Sequence, residues 1–335
     1  LDASQSWPPG RLVLGDPLGY QLALVAGFML ISSLLDLPWE LWSTFRIEQA
    51  FGFNRTTLKL FAADLAKGLL VGVLLGLPIV ALILWLMGAA GPRWWLWAWG
   101  AWMGFQLLIM VLYPTLIAPL FNKFEPLTDT ALKERVERLM ARCGFSAKGL
   151  FVMDGSRRSA HGNAYFSGFG PAKRVVFFDT LLAKLDGAEV EAVLAHELGH
   201  FKHRHITKRI VLSFALSLAG FALLGWLAQQ PAFYLGLGVR PSLAAPNDAL
   251  ALLLFLLAGP VFGFFVTPVA SHFSRRDEFQ ADAFARAQAS GPDLSSALLK
   301  LHEDNAGTLT PDPVYARFYY SHPPAAERLA ALAAP

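Results

Sequence analysis

The chain has 335 residues, 55% of them hydrophobic and only 16% charged, with a mean hydropathy of +0.43. Soluble domains carry about a quarter charged residues, so the composition excludes a disordered chain, a fibrous protein and a simple soluble enzyme. A net charge of +3 is too small to argue for a nucleic-acid partner, and a single cysteine, Cys143, excludes a disulfide framework and a thiolate metal cluster.

In chain order, Leu1 to Asp16 carries prolines and no basic stretch leading an apolar core, so it does not read as a signal peptide. The chain opens at Leu1 rather than Met, and is read as lacking its true N-terminus. A membrane span needs about 20 apolar residues. Five stretches are read as spans: Tyr20 to Leu35 (continuing past Asp36 and Pro38 into Trp39 and Trp42), Gly68 to Pro92, Trp94 to Asn122, Ile210 to Val239, and Ala249 to Ser274. Pro78, Pro114 and Pro260 fall inside three of them, which neighbouring helices tolerate. Trp94, Trp95, Trp97, Trp99 and Trp102 crowd one helix end and read as an interfacial aromatic belt.

Alternating the loops across a bilayer leaves Arg11, Arg93 and Arg240 on one face and the other 25 basic residues on the opposite face. The short loop from Phe45 to Lys67 alone holds Arg46, Arg55, Lys59 and Lys67, so the basic face is expected to be cytoplasmic. The chain thus divides into a three-span membrane region (1–122), a soluble segment (123–208), two spans (209–274) and a soluble C-terminal segment (275–335). The first soluble segment opens with an amphipathic helix at Leu132 to Cys143. Strands are expected at Leu150 to Asp154, Ala164 to Phe166 and Arg174 to Phe178, and then a helix from Ala188 to about His205. The last segment reads as helical, broken at Gly291-Pro292, Pro311 to Pro313 and Pro323-Pro324. The sequence contains no internal repeat.

The helix closing the first soluble segment carries His196-Glu197-Leu198-Gly199-His200. Positions i and i+4 share a helix face, so both imidazoles reach one ion while Glu197 lies beside them to accept a proton from water. This is the HExxH arrangement of zinc hydrolases, and it predicts one Zn2+ per chain. A catalytic zinc wants a third protein ligand. After His200 the glutamates are Glu278, Glu303 and Glu327, and Glu278 sits directly after the last span on the same predicted side as the histidines. Glu278 and Asp282 are again one turn apart, so one can ligate while the other accepts the free N–H of a ligand histidine. His203 and His205 read as solvated or interfacial, His272 as packing at a span end, and His161 and His322 as turn residues.

These motifs, with five further stretches in order along the chain, resemble the type I CAAX prenyl proteases, integral-membrane zinc metalloproteases. The matching stretches are Phe51 to Thr57, Ser159 to Phe166, Val176 to Leu182, Ser274 to Ala285, and Tyr320 to Pro324 followed by Glu327-Arg328-Leu329. The resemblance implies a mainly α, multi-span membrane protein with a cytosolic zincin-like (gluzincin) α+β protease domain. It implies zinc on His196, His200 and Glu278, Glu197 as general base, Asn163 holding the substrate backbone near an edge strand, and His322 donating to the developing oxyanion. It also implies helices that enclose a large intramembrane chamber. Family members typically have seven spans, so the first span here is expected to match the family's third. The substrate class implied is a peptide with a prenylated C-terminal region, and the alanine-rich composition points to a bacterial inner membrane. The physical role of Phe51 to Thr57 is open between packing over the site and connecting two helices.

Three other readings compete. A heat-shock-type membrane quality-control protease shares the zinc motif, but the Asn163 and His322 stretches favour the prenyl-protease branch. An intramembrane site-two-type protease keeps its zinc helix within the bilayer, whereas Lys202, Arg204, Lys208 and Arg209 crowd this motif. A non-catalytic scaffold would close a structural zinc with a fourth protein ligand.

Overall fold

The structure, a computed structural model, describes residues 17–167 and 173–334. The segment from Leu1 to Asp16, with the expectation that it holds no signal peptide, lies outside the described residues. The chain runs through α1 (Pro17–Trp42), α2 (Leu58–Ala89), α3 (Trp94–Leu112) and a short α4 (Ala118–Phe121), then β1 (Phe124–Pro126), α5 (Thr130–Cys143), β2 (Leu150–Met153), β3 (Ala164–Ser167) and β4 (Arg174–Phe178). A short α6 (Asp179–Leu182) precedes α7 (Gly187–Lys202), α8 (His205–Leu227), α9 (Pro231–Gly236), α10 (Asp248–Gln288), α11 (Gly291–Asp304), α12 (Pro313–Tyr319) and α13 (Ala325–Ala333). Among the described residues two compact units emerge, one drawn from 17–42, 62–109 and 211–262, the other from 43–61, 110–210 and 263–334.

Five helical segments are long and apolar enough to cross a membrane: Pro17–Glu48, Leu58–Ala89, Gly91–Phe121, His205–Leu227 and Asp248–Gln288. The protein is accordingly mainly helical and multi-spanning. One proline is absorbed by a widened turn. The helix after α3 passes through Pro114 as a π-helical turn at Tyr113–Ile117, which spares the carbonyl that the proline ring would meet. The fourth span stops at Leu227 rather than Val239, because Gln229-Gln230-Pro231 breaks the helix and a separate short α9 follows.

In the first unit, leucines and tryptophans such as Leu69, Trp97 and Trp226 face outward, as a lipid-exposed surface requires, while small residues fill the seams. Ala98, Ala249 and Ala251 are fully buried, and a Cβ on Gly225 would stand 2.8 Å from the Trp95 ring. The tryptophan cluster differs from a simple interfacial belt. Trp94 is buried, Trp95 packs on Gly225, and the Trp99 indole donates to Phe214 O and Ser217 Oγ, both at 3.2 Å. These rings lock helices together because an indole N–H in apolar surroundings needs an acceptor. Gln21, also buried, uses its Oε1 to accept the Ala249 N–H at 2.9 Å, satisfying one orphan donor at the start of α10.

The second unit is built on a four-stranded sheet ordered β1-β2-β4-β3, with β2 and β4 parallel and the outer pairs antiparallel. The three expected strands are present within a residue at their ends. β1 escaped the sequence reading because its three residues, ending in Pro126, offer no alternation. Val175 and Phe177 of β4 are fully buried against Val136 and Leu139 of α5 and Leu194 and Leu198 of α7. β3 ends the sheet and leaves one edge without a partner strand among the described residues. The helix α10 is uninterrupted for 41 residues, about 60 Å at 1.5 Å per residue, so its last turns project well past a ~30 Å hydrocarbon layer.

Candidate metal centre

The helix α7 is fixed at its start by a reciprocal cap. Asp186 accepts from the Ala188 and Glu189 N–H groups, and the Glu189 carboxylate accepts the Asp186 N–H. Glu189 is 3% exposed and is further held by Ser296 Oγ at 2.6 Å and Lys300 Nζ at 2.7 Å on α11. With Val190, Ala192, Leu194 and Leu198 in the core, α7 has no rotational freedom, and His196 and His200 project from one face one turn apart. Facing them, α10 presents Glu278 and Asp282, both buried. The two helices touch at Gly199, where a Cβ would lie 2.9 Å from Ala281 Cα and 3.1 Å from Ala281 O.

The donor atoms converge. His196 Nε2 lies 3.2 Å from His200 Nε2, and Glu278 oxygens lie 3.4 Å from each of these nitrogens. A tetrahedral zinc with bonds of about 2.0–2.1 Å has ligand–ligand edges of about 3.3–3.4 Å. The Glu278 Oε2 atom is buried and accepts no hydrogen bond, an orphaned anionic lone pair aimed at this gap. Among the described residues, His196, His200 and Glu278 form the one group able to hold a metal ion.

Behind the donors, His196 Nδ1 donates to Asp282 Oδ1 at 2.8 Å, leaving Nε2 toward the gap. Asp282 in turn accepts a two-pronged bond from Arg328, Nε to Oδ2 at 2.8 Å and Nη2 to Oδ1 at 2.6 Å. Burial disfavours a charged His196, but the Asp282 and Glu278 carboxylates outweigh it and push its pKa up to about 9. The negative field that holds a proton at that lone pair also favours a divalent cation in its place. Burial pushes the Glu197 carboxyl up, against the opposing influence of His196 and His200, toward the range of a working general base.

The HPP turn also reaches the cluster. Arg275 Nη1 donates to Tyr320 O at 2.6 Å and so anchors the residues before Ser321-His322. His322 Nε2 lies 3.5 Å from Glu278 Oε1, with two thirds of its side chain exposed. Asn163 sits immediately before β3. Its side chain accepts the Ala164 N–H and its carbonyl accepts the Phe178 N–H, and no hydrogen bond or ion pair among the described residues joins it to the cluster. The Phe51 to Thr57 loop does more than connect helices. It pairs with Arg158 to Ala160 through Arg55 N–H to Arg158 O, Ala160 N–H to Phe53 O and the Asn54–Ser159 bridge, fixing the segment that leads into Asn163. His161 packs on Phe53 and bonds to Asn305.

Two participants were missed in the sequence. Arg328 carried no metal-site signature, although a buried arginine always needs an anionic partner. His205 was read as solvated, yet it is 1% exposed and its Nδ1 lies 3.0 Å from His200 Nδ1. The expected helix through His205 instead ends at Lys202, and Arg204 adopts a left-handed φ of 56° before α8 begins.

Comparison with known proteins decides the family. A model described as CAAX prenyl protease N-terminal, five membrane helices, matches residues 4–123, and the model of Peptidase family M48 matches residues 126–335. The CAAX prenyl protease 1 homolog of Oryza sativa is 41% identical over 326 residues, covering 93% of this chain and 73% of that protein. This chain belongs to the CAAX prenyl proteases of Peptidase family M48. Saccharomyces cerevisiae CAAX prenyl protease 1 is 36% identical over 337 residues, covering 97% of this chain and 74% of its own. The crystal structure of S. mikatae Ste24p superposes with a TM-score of 0.89 at 35% identity, covering 98% of this chain and 79% of that one. As a member of this family the protein is a multi-pass membrane metalloendopeptidase, which sets aside the scaffold reading.

Proposed function

We propose that the protein is a zinc-dependent endopeptidase that cleaves prenylated C-terminal peptides at the cytosolic membrane face. The observation that carries this is the closing of two imidazoles and a carboxylate, one of whose buried oxygens accepts no hydrogen bond, to tetrahedral spacing on two helices. The substrate class rests on the similar proteins, which are named CAAX prenyl proteases. The cytosolic face rests on the distribution of basic residues, and a bacterial inner membrane on the alanine-rich composition.

His196, His200 and Glu278 would hold the zinc. When bound, zinc supplies Lewis acidity that acidifies water and polarises the scissile carbonyl. Glu197 accepts the proton of the attacking water and returns it to the leaving amine. His322 donates to the oxyanion, a contribution of about 3 kcal/mol for one donor. Asn163 holds the substrate backbone as it pairs with the edge of β3.

The test compares a farnesylated C-terminal peptide with its unmodified twin in detergent, with products mapped by mass spectrometry. Chelator-sensitive release of a C-terminal fragment from the farnesylated peptide is expected, and equal cleavage of the twin removes the prenyl requirement. Glu197→Gln is expected to retain zinc and lose turnover; near-wild-type cleavage by that variant ends the mechanism.

A further inference from the structure

We propose that His205 is a positioning residue that sets His200 in its metal-binding tautomer through a relay from Gln280. The proposal rests on the zinc reading of His196, His200 and Glu278. His205 Nε2 lies 3.0 Å from Gln280 Oε1 and 3.4 Å from Asp277 Oδ1. Both are acceptors, so Nε2 carries the hydrogen and donates. A neutral imidazole that donates from Nε2 accepts at Nδ1, and His205 Nδ1 faces His200 Nδ1 at 3.0 Å. His200 therefore donates from Nδ1, and its Nε2 is left as a bare lone pair beside His196 Nε2 and Glu278 Oε1. The opposite arrangement would put a hydrogen on His200 Nε2 and block ligation.

The backbone is shaped for this contact. In a continuous helix, residues five apart lie about 140° around the axis and do not meet. The left-handed turn at Arg204, uncommon for a side-chain-bearing residue, interrupts the helix and brings His205 against His200 at 1% exposure. Gln280 and Asp277 come from α10, the helix that supplies Glu278, so one element places a metal ligand and the acceptors that orient another. The two ligand histidines are backed differently: His196 by the Asp282 carboxylate, His200 by an imidazole.

The experiment measures zinc affinity by chelator competition on the full chain in detergent for wild type, His205→Leu, His205→Asn and His200→Ala. The leucine variant removes the acceptor, while the asparagine amide oxygen sits close to where Nδ1 was and accepts again. His205→Leu is expected to bind zinc about 10- to 100-fold more weakly, with His205→Asn recovering most of the loss. The Co2+-substituted His205→Leu protein is expected to show an altered d–d spectrum, which a remote packing defect would not produce. If His205→Leu does not fold, His205→Asn decides: affinity near wild type supports the relay, and a loss as large as that of His200→Ala overturns it. Unchanged zinc affinity in His205→Leu removes this proposal alone, whereas a wild type that binds no zinc removes the metal centre and the relay together.

Discussion

Gly199 lies against Ala281 so closely that a methyl group on Gly199 would stand 2.9 Å from the Ala281 Cα. The obstacle is backbone, so no side-chain rotation relieves it. Gly199→Ala is expected to part α7 from α10, costing about 1–3 kcal/mol of stability. It pulls the two histidines away from Glu278. Metal content after dialysis checks this: the variant is expected to emerge depleted in zinc, and stoichiometric retention contradicts the role given to the contact.

Arg328 is 8% exposed and is the main cationic partner of the Asp282 carboxylate. Arg328→Met leaves that buried charge with His196 as its remaining partner and one oxygen without its donor, a change that costs about 1–3 kcal/mol. Arg328→Lys keeps the charge but cannot span both oxygens, so an intermediate loss is expected. Thermal unfolding in detergent with chelator present separates the two, and the order wild type, lysine, methionine is the expected outcome.

Metal removal gives a third check. A ligand that binds only the folded state stabilises it by about 2.7 kcal/mol at a hundred times its Kd. Adding Zn2+ to stripped protein is expected to raise the melting temperature of the wild type and to leave His200→Ala unmoved. A rise of equal size in that variant places the metal elsewhere.

The cap of α7 predicts a pH dependence. Burial opposes charge on Glu189, but Lys300, Ser296 and the Asp186 backbone N–H outweigh it and hold the carboxyl below its ordinary value of 4.5. The unfolded chain thus takes up a proton first on acidification. The stabilisation is complete above pH 4.5 and is lost as pH falls through the lower folded value. Glu189→Gln is expected to lower stability by about 2 kcal/mol near neutrality, with the gap to wild type closing in acid. A gap that persists unchanged at the acid end contradicts the assignment.

Much of the spanning architecture was legible because lipid demands uninterrupted apolar length, and the HExxH pair was legible because helical periodicity is local. Glu278 followed from parity across the membrane. What escaped depends on the third dimension. The turn at Arg204 has no glycine to announce it, so His205 looked like one more polar residue near a membrane border. Trp95 and Trp99 looked interfacial because tryptophan favours that region, whereas their partners Gly225 and Ser217 lie more than a hundred residues away. The start of α2 came ten residues early because Lys59, Asp64 and Lys67 continue the helix beyond its apolar run. Arg328 was hidden for the same reason as Asp282's second bond: neither partner's neighbourhood in sequence mentions the other.

The clamp of Asp282 by Arg328 is among the last contacts that synthesis of the chain makes possible. His196 leaves the ribosome long before Arg328, which follows it by 132 positions. Until then the carboxylate behind His196 has no guanidinium to steady it. A nascent chain already threaded into the bilayer therefore holds Asp282 without this clamp until residue 328 has been made.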